Sequence, residues 1–288
     1  MGLYLLDKNV VEDIQKSLKN TPSPGIAFAR KVDKKWNIVS PLLAIVEGSV
    51  RRPQSPSEVY SRLMADARAV GMFYRRASTD AKALTDMSVE MIITFGAHWR
   101  DATEKLLPLS RKLQKLLSRT YSVIDAKTVL MEIDSLSRLH SVEREHPLIV
   151  CAIACLYGHS AARKILKPAQ RSSDGHAYNS VADIRMLLET AYIRRMWQEK
   201  NPRESVNLLS GDKNLNEFSK AIAVTAESST PLHDLKVEVV RFKSTITDAL
   251  FPSLVRKPKE REYLYSYFKG DTEAEELIQV VGAVRVSG

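Results

Sequence analysis

The opening stretch MGLYLLDKNVVEDIQKSL changes its apolar period within a few residues. Residues 3–6 form an unbroken apolar run, which predicts a short buried strand. Val10, Val11, Ile14 and Leu18 then recur on one stripe at helical spacing. Asp7 stands at the changeover, in the position of a helix N-cap. NTPSPG (20–25) is a loop by its Pro, Ser and Gly content. A second strand is predicted over 36–39. Ser40 and Pro41 suit the N-cap and first position of the next helix. That helix, PLLAIVEGSV, is apolar on every side except at Glu47, and RRPQSP (51–56) breaks it.

Residues 57–140 keep helical spacing almost throughout, as in Leu63/Ala67/Val70 and Leu106/Leu109/Leu113/Leu116. The pattern predicts several long helices with basic outer faces, among them Arg111, Lys112, Lys115 and Arg119. Such faces serve as solvated surface or line a groove for a phosphate backbone. HPLIVCAIACLYGHSAARKIL (146–166) predicts one apolar helix or a pair hinged near Gly158. A loop over 166–179 precedes a helix at 180–197 with Asp183 in its first turn. SVNLL (205–209) predicts a buried strand, SGDKN (210–214) a sharp loop, and LNEFSKAIAV the start of a helix. KVEVVRF (236–242) fits a strand or an amphipathic helix, and EAEELIQVVGAVRVSG ends in a candidate edge strand. The order β-α-β-α, helical block, α-β-α predicts an α/β fold with a central parallel sheet.

Composition narrows the function classes. The chain has 288 residues, 44% of them apolar, and a formal net charge of +9. The charge suggests a polyanionic partner once a chemical site supports one. No apolar run is long enough to span a bilayer, so no membrane role is expected. The first apolar run meets Asp7 with no basic segment before it, which predicts a cytoplasmic protein. Cys151 and Cys155, one helical turn apart, read as small core residues. The six His show no paired metal spacing, and no Walker loop, GxGxxG or GxSxG occurs.

The chemistry concentrates in four carboxylates. Asp7 follows the first strand, Glu47 sits on the apolar helix after the second, Asp183 opens a late helix, and Asp212 follows the strand at 205–209. Ligand sites of open parallel sheets lie beyond the carboxyl ends of the strands. Four carboxylates at one edge stay ionised together only around bound cations. An all-oxygen set suits Mg²⁺ or Mn²⁺. Ser40 and Ser210 are candidates to orient ligands, and Lys8, Asn9 and Lys213 to meet phosphate. Asp134 and Glu145 are spare acids that can stand in for Asp183 if the helices pack differently.

These motifs, taken in order, resemble the PIN-domain nucleases, the fold of VapC-type toxins. YLLDKNVVEDI is similar to the family's opening strand and aspartate, with Lys8 where Thr or Ser is usual. IVSPLLAIVEGSVRR is similar to its second element, ending on Glu47. VNLLSGDKNLNEF is similar to its late strand running into Ser-x-Asp. The resemblance makes Asp183 in YNSVADIRMLL the third acid, on a helix before that last strand. It implies a three-layer α/β/α core from 1–56 and 141–226, a large all-helical insertion at 57–140, and a C-terminal extension at 227–288 that completes or flanks the core.

The function implied is metal-dependent endonuclease action through a metal-activated water, on RNA rather than DNA. All four acids would hold the metal. A toxin or defence-type effector fits, with a regulatory protein partner or a homo-oligomer controlling it through the helical block. The alternative is a catalytically inactive PIN-like scaffold that binds nucleic acid or a protein through that block.

Overall fold

The computed structural model describes residues 1–23, 25–50, 54–86, 89–171, 173–229 and 239–270. The apolar run at the start becomes strand β1 (Gly2–Leu6), and Asp7 caps helix α1 (Lys8–Leu18) by accepting from the Val10 N–H at 2.8 Å. Helix α2 (Ile26–Lys31) leads to β2 (Asn37–Ser40) and α3 (Leu42–Val50). Ser55 and Glu58 close a capping box at the start of α4 (Pro56–Phe73). A two-residue strand, β3 (Ser78–Thr79), then precedes α5 (Ala81–Thr85).

Helices α6 (Val89–Leu116) and α7 (Val123–Leu139) follow. The apolar segment 146–166 is a helix pair, α8 (Pro147–Leu156) and α9 (Ser160–Leu166), turned at Gly158 with φ +89°. The hinge falls where only glycine adopts the backbone without strain. Helix α10 (Asp174–Lys200), β4 (Ser205–Leu209) and α11 (Lys213–Ala221) come next.

One parallel sheet organises these elements, in the order β3-β2-β1-β4. Leu3 pairs with Ile38 on one side and Val206 on the other. Side chains of β1 alternate between two cores, as the strand period demands. Leu3 and Leu5 join Leu43, Leu109, Ile149, Val181 and Phe218. Leu6 joins Val10, Ile14, Val39 and Val70 on the opposite face. Helices thus cover both faces, the arrangement parallel sheets require. Helix α8 runs through the larger core, with residues 147–155 all buried, including both free cysteines.

Two expectations need correction. Residues 57–140 are not an all-helical insertion. β3 pairs with β2, Val39 opposite Thr79, so the block supplies the sheet's outer strand. Its helices also fill both cores, α4 through Ala69 and Val70 and α6 through Leu106, Leu109 and Leu113. A two-residue strand carries no readable period of two, which is why the pattern concealed it.

The helix of LNEFSKAIAV stops at Ala221, where β5 (Ile222–Ser229) begins and pairs antiparallel with β6 (Val239–Ile246). The expected extension therefore starts inside a hairpin. Two short 3-10 turns and α12 (Pro258–Lys269) then return to the main core through Leu250, Phe251, Leu254, Leu264 and Tyr267. The candidate strand at the end of the chain lies outside the described residues.

Candidate acidic site at the sheet edge

The carboxyl ends of the four strands carry Asp7 after β1, Ser40 at the end of β2, Asp80 after β3, and Ser210 and Asp212 after β4. Asp7 is 4% exposed and its carboxylate is heavily engaged. One oxygen accepts from Val10; the other accepts from the Ser210 hydroxyl and from the Gly211 N–H at 3.2 Å. The Ser210 oxygen in turn accepts the Asp212 N–H at 3.0 Å. Asn216 donates to the Ser210 carbonyl at 2.8 Å and braces the turn. Asp212 caps α11, accepting from Asn214 at 2.6 Å and Leu215 at 3.1 Å. Two helix N-termini therefore meet at this edge, each bearing an aspartate where the helix dipole favours negative charge.

Glu47 reaches the same corner from α3, accepting the Lys8 backbone N–H at 3.3 Å. Asp183 approaches on α10, with Lys167 Nζ at 3.9 Å. Burial pushes the Asp183 carboxyl up to about 7; Lys167 opposes the shift, while Asp212, Glu47 and Asp7 add to it. Burial also raises Asp7 against the pull of its hydrogen bonds, and Asp212 adds to the rise. The four predicted acids thus lie within electrostatic reach of one another. Among the described residues, no three His, Cys, Asp or Glu side chains are arranged closely enough to hold a metal ion as they stand. Asp7 and Asp212 accept from the cap and turn donors around them, while Asp183 faces Lys167.

The spare acids are elsewhere. Asp134 is 1% exposed and is held by Arg144 at 2.7 Å, Arg138 at 2.8 Å and the Tyr267 hydroxyl at 3.0 Å. Glu145 lies near Lys243 of β6. His146 and His159 are helix caps, accepting from Leu148 and Ala162. His233 lies outside the described residues.

Among the predicted phosphate contacts, Asn9 and Lys213 are exposed, and Asn9 sits over Gly211. Lys8 takes another role. Its ammonium pairs with both carboxylate oxygens of Asp66 on α4, at 2.9 and 3.1 Å, and Gln15 completes the contact at 2.7 Å. Only the Lys8 backbone N–H faces an acid of the edge.

Ser210 donates its hydroxyl to Asp7. Ser40 instead donates to Asp80 at 2.6 Å, while accepting the Leu42 N–H at 3.2 Å. Asp80 is a further acid of this edge that pattern reading does not single out. Its carboxyl is raised by burial, and its second oxygen is buried with no hydrogen-bond partner. The signal was present in ASTDAKAL, a Ser-Thr pair running into an aspartate before a helix, but the surrounding helical periodicity overrode it.

None of the protein-family models, curated proteins or solved structures compared with the chain matches it. Among the described residues no helix is long and apolar enough to cross a membrane.

Proposed function

We propose that the protein is a PIN-like, metal-dependent phosphodiester hydrolase acting on RNA. The observation that carries this reading is the convergence of Asp7, Glu47, Asp183 and Asp212 at the carboxyl edge of a parallel sheet, close enough that the other three raise Asp183. The strand order and both-sided helical cover support a PIN-like, three-layer α/β/α architecture. The donor set is all oxygen and suits Mg²⁺ or Mn²⁺, which bind through one or two carboxylates and retained waters rather than a closed protein cage.

A divalent cation bound there would supply an acidified water as nucleophile and neutralise charge growing on the phosphate. The remaining functions belong to the chain. Val10, Ser210 and Gly211 fix the direction of the Asp7 oxygens, so Asp7 is a preset ligand. Asp212 and Glu47 share the two helix N-termini that keep anions stable beside it. Asp183 holds a proton near neutrality at an oxygen beside Lys167. Asn9 and Lys213 present donors at the exposed rim, where a phosphodiester approaches. Asp134 is bound into a cluster of cations and takes no part. The regulatory partner or homo-oligomer expected of such an activity belongs to this proposal.

The test is cleavage of labelled RNA in Mg²⁺ or Mn²⁺ by the wild type, by Asp7→Asn/Asp212→Asn and by Glu47→Gln. Both variants lose cleavage while circular dichroism stays native. Full activity in either, or activity indifferent to EDTA, overturns the proposal.

A further inference from the structure

We infer that the hollow at the C-terminal end of α6 is a docking site for the backbone of a single-stranded nucleic acid. This rests on the hydrolase reading for its direction, since the strand would run from here toward the acidic edge. The hollow encloses about 370 Å³, and its walls include Lys112, Lys115, Leu116, Arg119, Tyr121 and Gln170. Three of these are cations; no carboxylate is among the described residues that line it. Lys112 and Lys115 are exposed and stand one turn apart on the same helix face.

Arg119 lies over the Tyr121 ring at 4.9 Å, which presents a flat cation as a wall. Guanidinium planes and aromatic rings are the surfaces on which unstacked bases settle. The Arg119–Tyr121 pair also separates this hollow from a neighbouring one that holds Asp125 and Glu132. The two sides differ in chemistry: the first carries cations and no carboxylate among its described lining residues, the second carries both.

The hollow is joined to the acidic edge by a short, fixed path. The loop after α9 lies along the end of α6, with the Ala169 N–H donating to the Gln114 carbonyl at 3.1 Å and Gln170 donating to the Ser118 hydroxyl at 2.7 Å. The Gln114 side chain ties α9 and α10 to α6, donating to the Leu166 carbonyl at 2.7 Å and to Ser180 at 3.0 Å. Lys167 begins this loop and reaches Asp183; Gln170 ends it on the wall of the hollow. Three residues span at most about 10 Å. One loop therefore carries a cation beside an acid of the proposed site and, three residues on, a side chain in the wall of the hollow.

The experiment is fluorescence anisotropy of a labelled single-stranded RNA oligonucleotide with the full chain in EDTA, titrated with salt. Lys112→Ala/Lys115→Ala lowers the magnitude of the log–log salt slope by about 1.4 and weakens binding about 25-fold at 0.1 M salt, because two phosphate contacts are lost. Lys82→Ala/Lys259→Ala, exposed positions on α5 and α12, leaves both unchanged. Equal weakening by both pairs, or no change with the first, overturns the docking site. Metal-dependent cleavage that persists without any such binding change overturns the hollow alone. Binding that depends on Lys112 and Lys115 in a chain that never cleaves overturns the hydrolase reading and leaves the hollow standing.

Discussion

Ser210 and Asp7, 203 residues apart in the chain, are joined by a hydrogen bond, the hydroxyl donating to the carboxylate. The same oxygen of Ser210 receives the Asp212 N–H, so one small side chain sets the positions of two acids. Replacing it with Ala leaves the buried Asp7 oxygen with the Gly211 N–H as its remaining donor there and the Asp212 amide without its Ser210 partner. Ser210→Ala is expected to cost about 1–3 kcal/mol in urea unfolding. On the proposed hydrolase reading it also raises the metal concentration needed for half-maximal cleavage, since Asp7 loses one of the donors that fix it. Ser210→Thr, which keeps the hydroxyl, restores most of both.

Lys8 and Asp66 make a second test. Asp66 is fully buried, while the Lys8 side chain keeps 20% of its exposure. Lys8→Ala strands a buried carboxylate with Gln15 as its remaining donor, and a loss of about 2–4 kcal/mol follows. Lys8→Met/Asp66→Leu recovers most of the loss, because an apolar pair of similar size has no charge to desolvate. A double-mutant cycle in urea measures the coupling. Catalysis is unchanged in the double variant if the Lys8 ammonium plays no part at phosphate.

Asp80 predicts a gain rather than a loss. Its buried carboxylate accepts one bond from Ser40 and leaves its other oxygen unpaired. Asp80→Asn keeps an acceptor for Ser40 and removes a desolvated charge. The variant is expected to be more stable at pH 7.5 by about 1 kcal/mol in thermal or urea unfolding, and the gain shrinks as pH falls toward the ordinary carboxylate range, because burial makes the wild-type carboxyl take up its proton earlier in the folded protein.

Two titrating groups pull stability in opposite directions over the same pH range. His146 is pushed down to about 4 by burial and the nearby Arg185, and its neutral ring caps α8. The unfolded chain binds the proton first, so this group removes stability as pH falls from about 6.5 to about 4. Asp183, raised to about 7, works the other way: the folded protein holds the proton first, and stability falls as pH rises from about 4 to about 7. In the wild type without added metal these two contributions nearly offset each other across this window. His146→Asn, which keeps a capping acceptor, exposes the Asp183 slope, with melting temperature highest near pH 4. Asp183→Asn exposes the His146 slope, with melting temperature highest near pH 7. Melting curves of the three proteins at pH 4, 5.5 and 7 decide the matter.

Much of the fold was legible because it obeys simple periods. The four-residue run before Asp7, the stripe Val10–Ile14 and the continuous apolar helix at 147–156 are read directly from spacing. Asp7, Glu47 and Asp212 were legible for the same reason, since each stands at a fixed offset from a strand end. Asp183 was a candidate from its place near a helix start, and the family resemblance made it the third acid, because nothing in a helical heptad says which side will meet another helix's acids. The Lys8–Asp66 pair was not legible, because the two residues lie 58 apart and Asp66 falls in a block read as separate. Asp80 was missed with β3, since two residues show no alternation and neighbouring helices impose their own period. The hinge at Gly158 and the stop at Ala221 differ likewise: glycine announces a turn, whereas the helix-to-strand change at Ile222 is set by pairing with β6.

The short strand β3 reaches further than its two residues suggest. Because the sheet's outer strand comes from the middle of the chain, residues 57–140 cannot be lifted out as a cassette. Excising them would bare one side of β2, empty α4 from one core and α6 from the other. The block is built into the sheet and both cores, so α4 and α6 form part of the ground on which the acids stand.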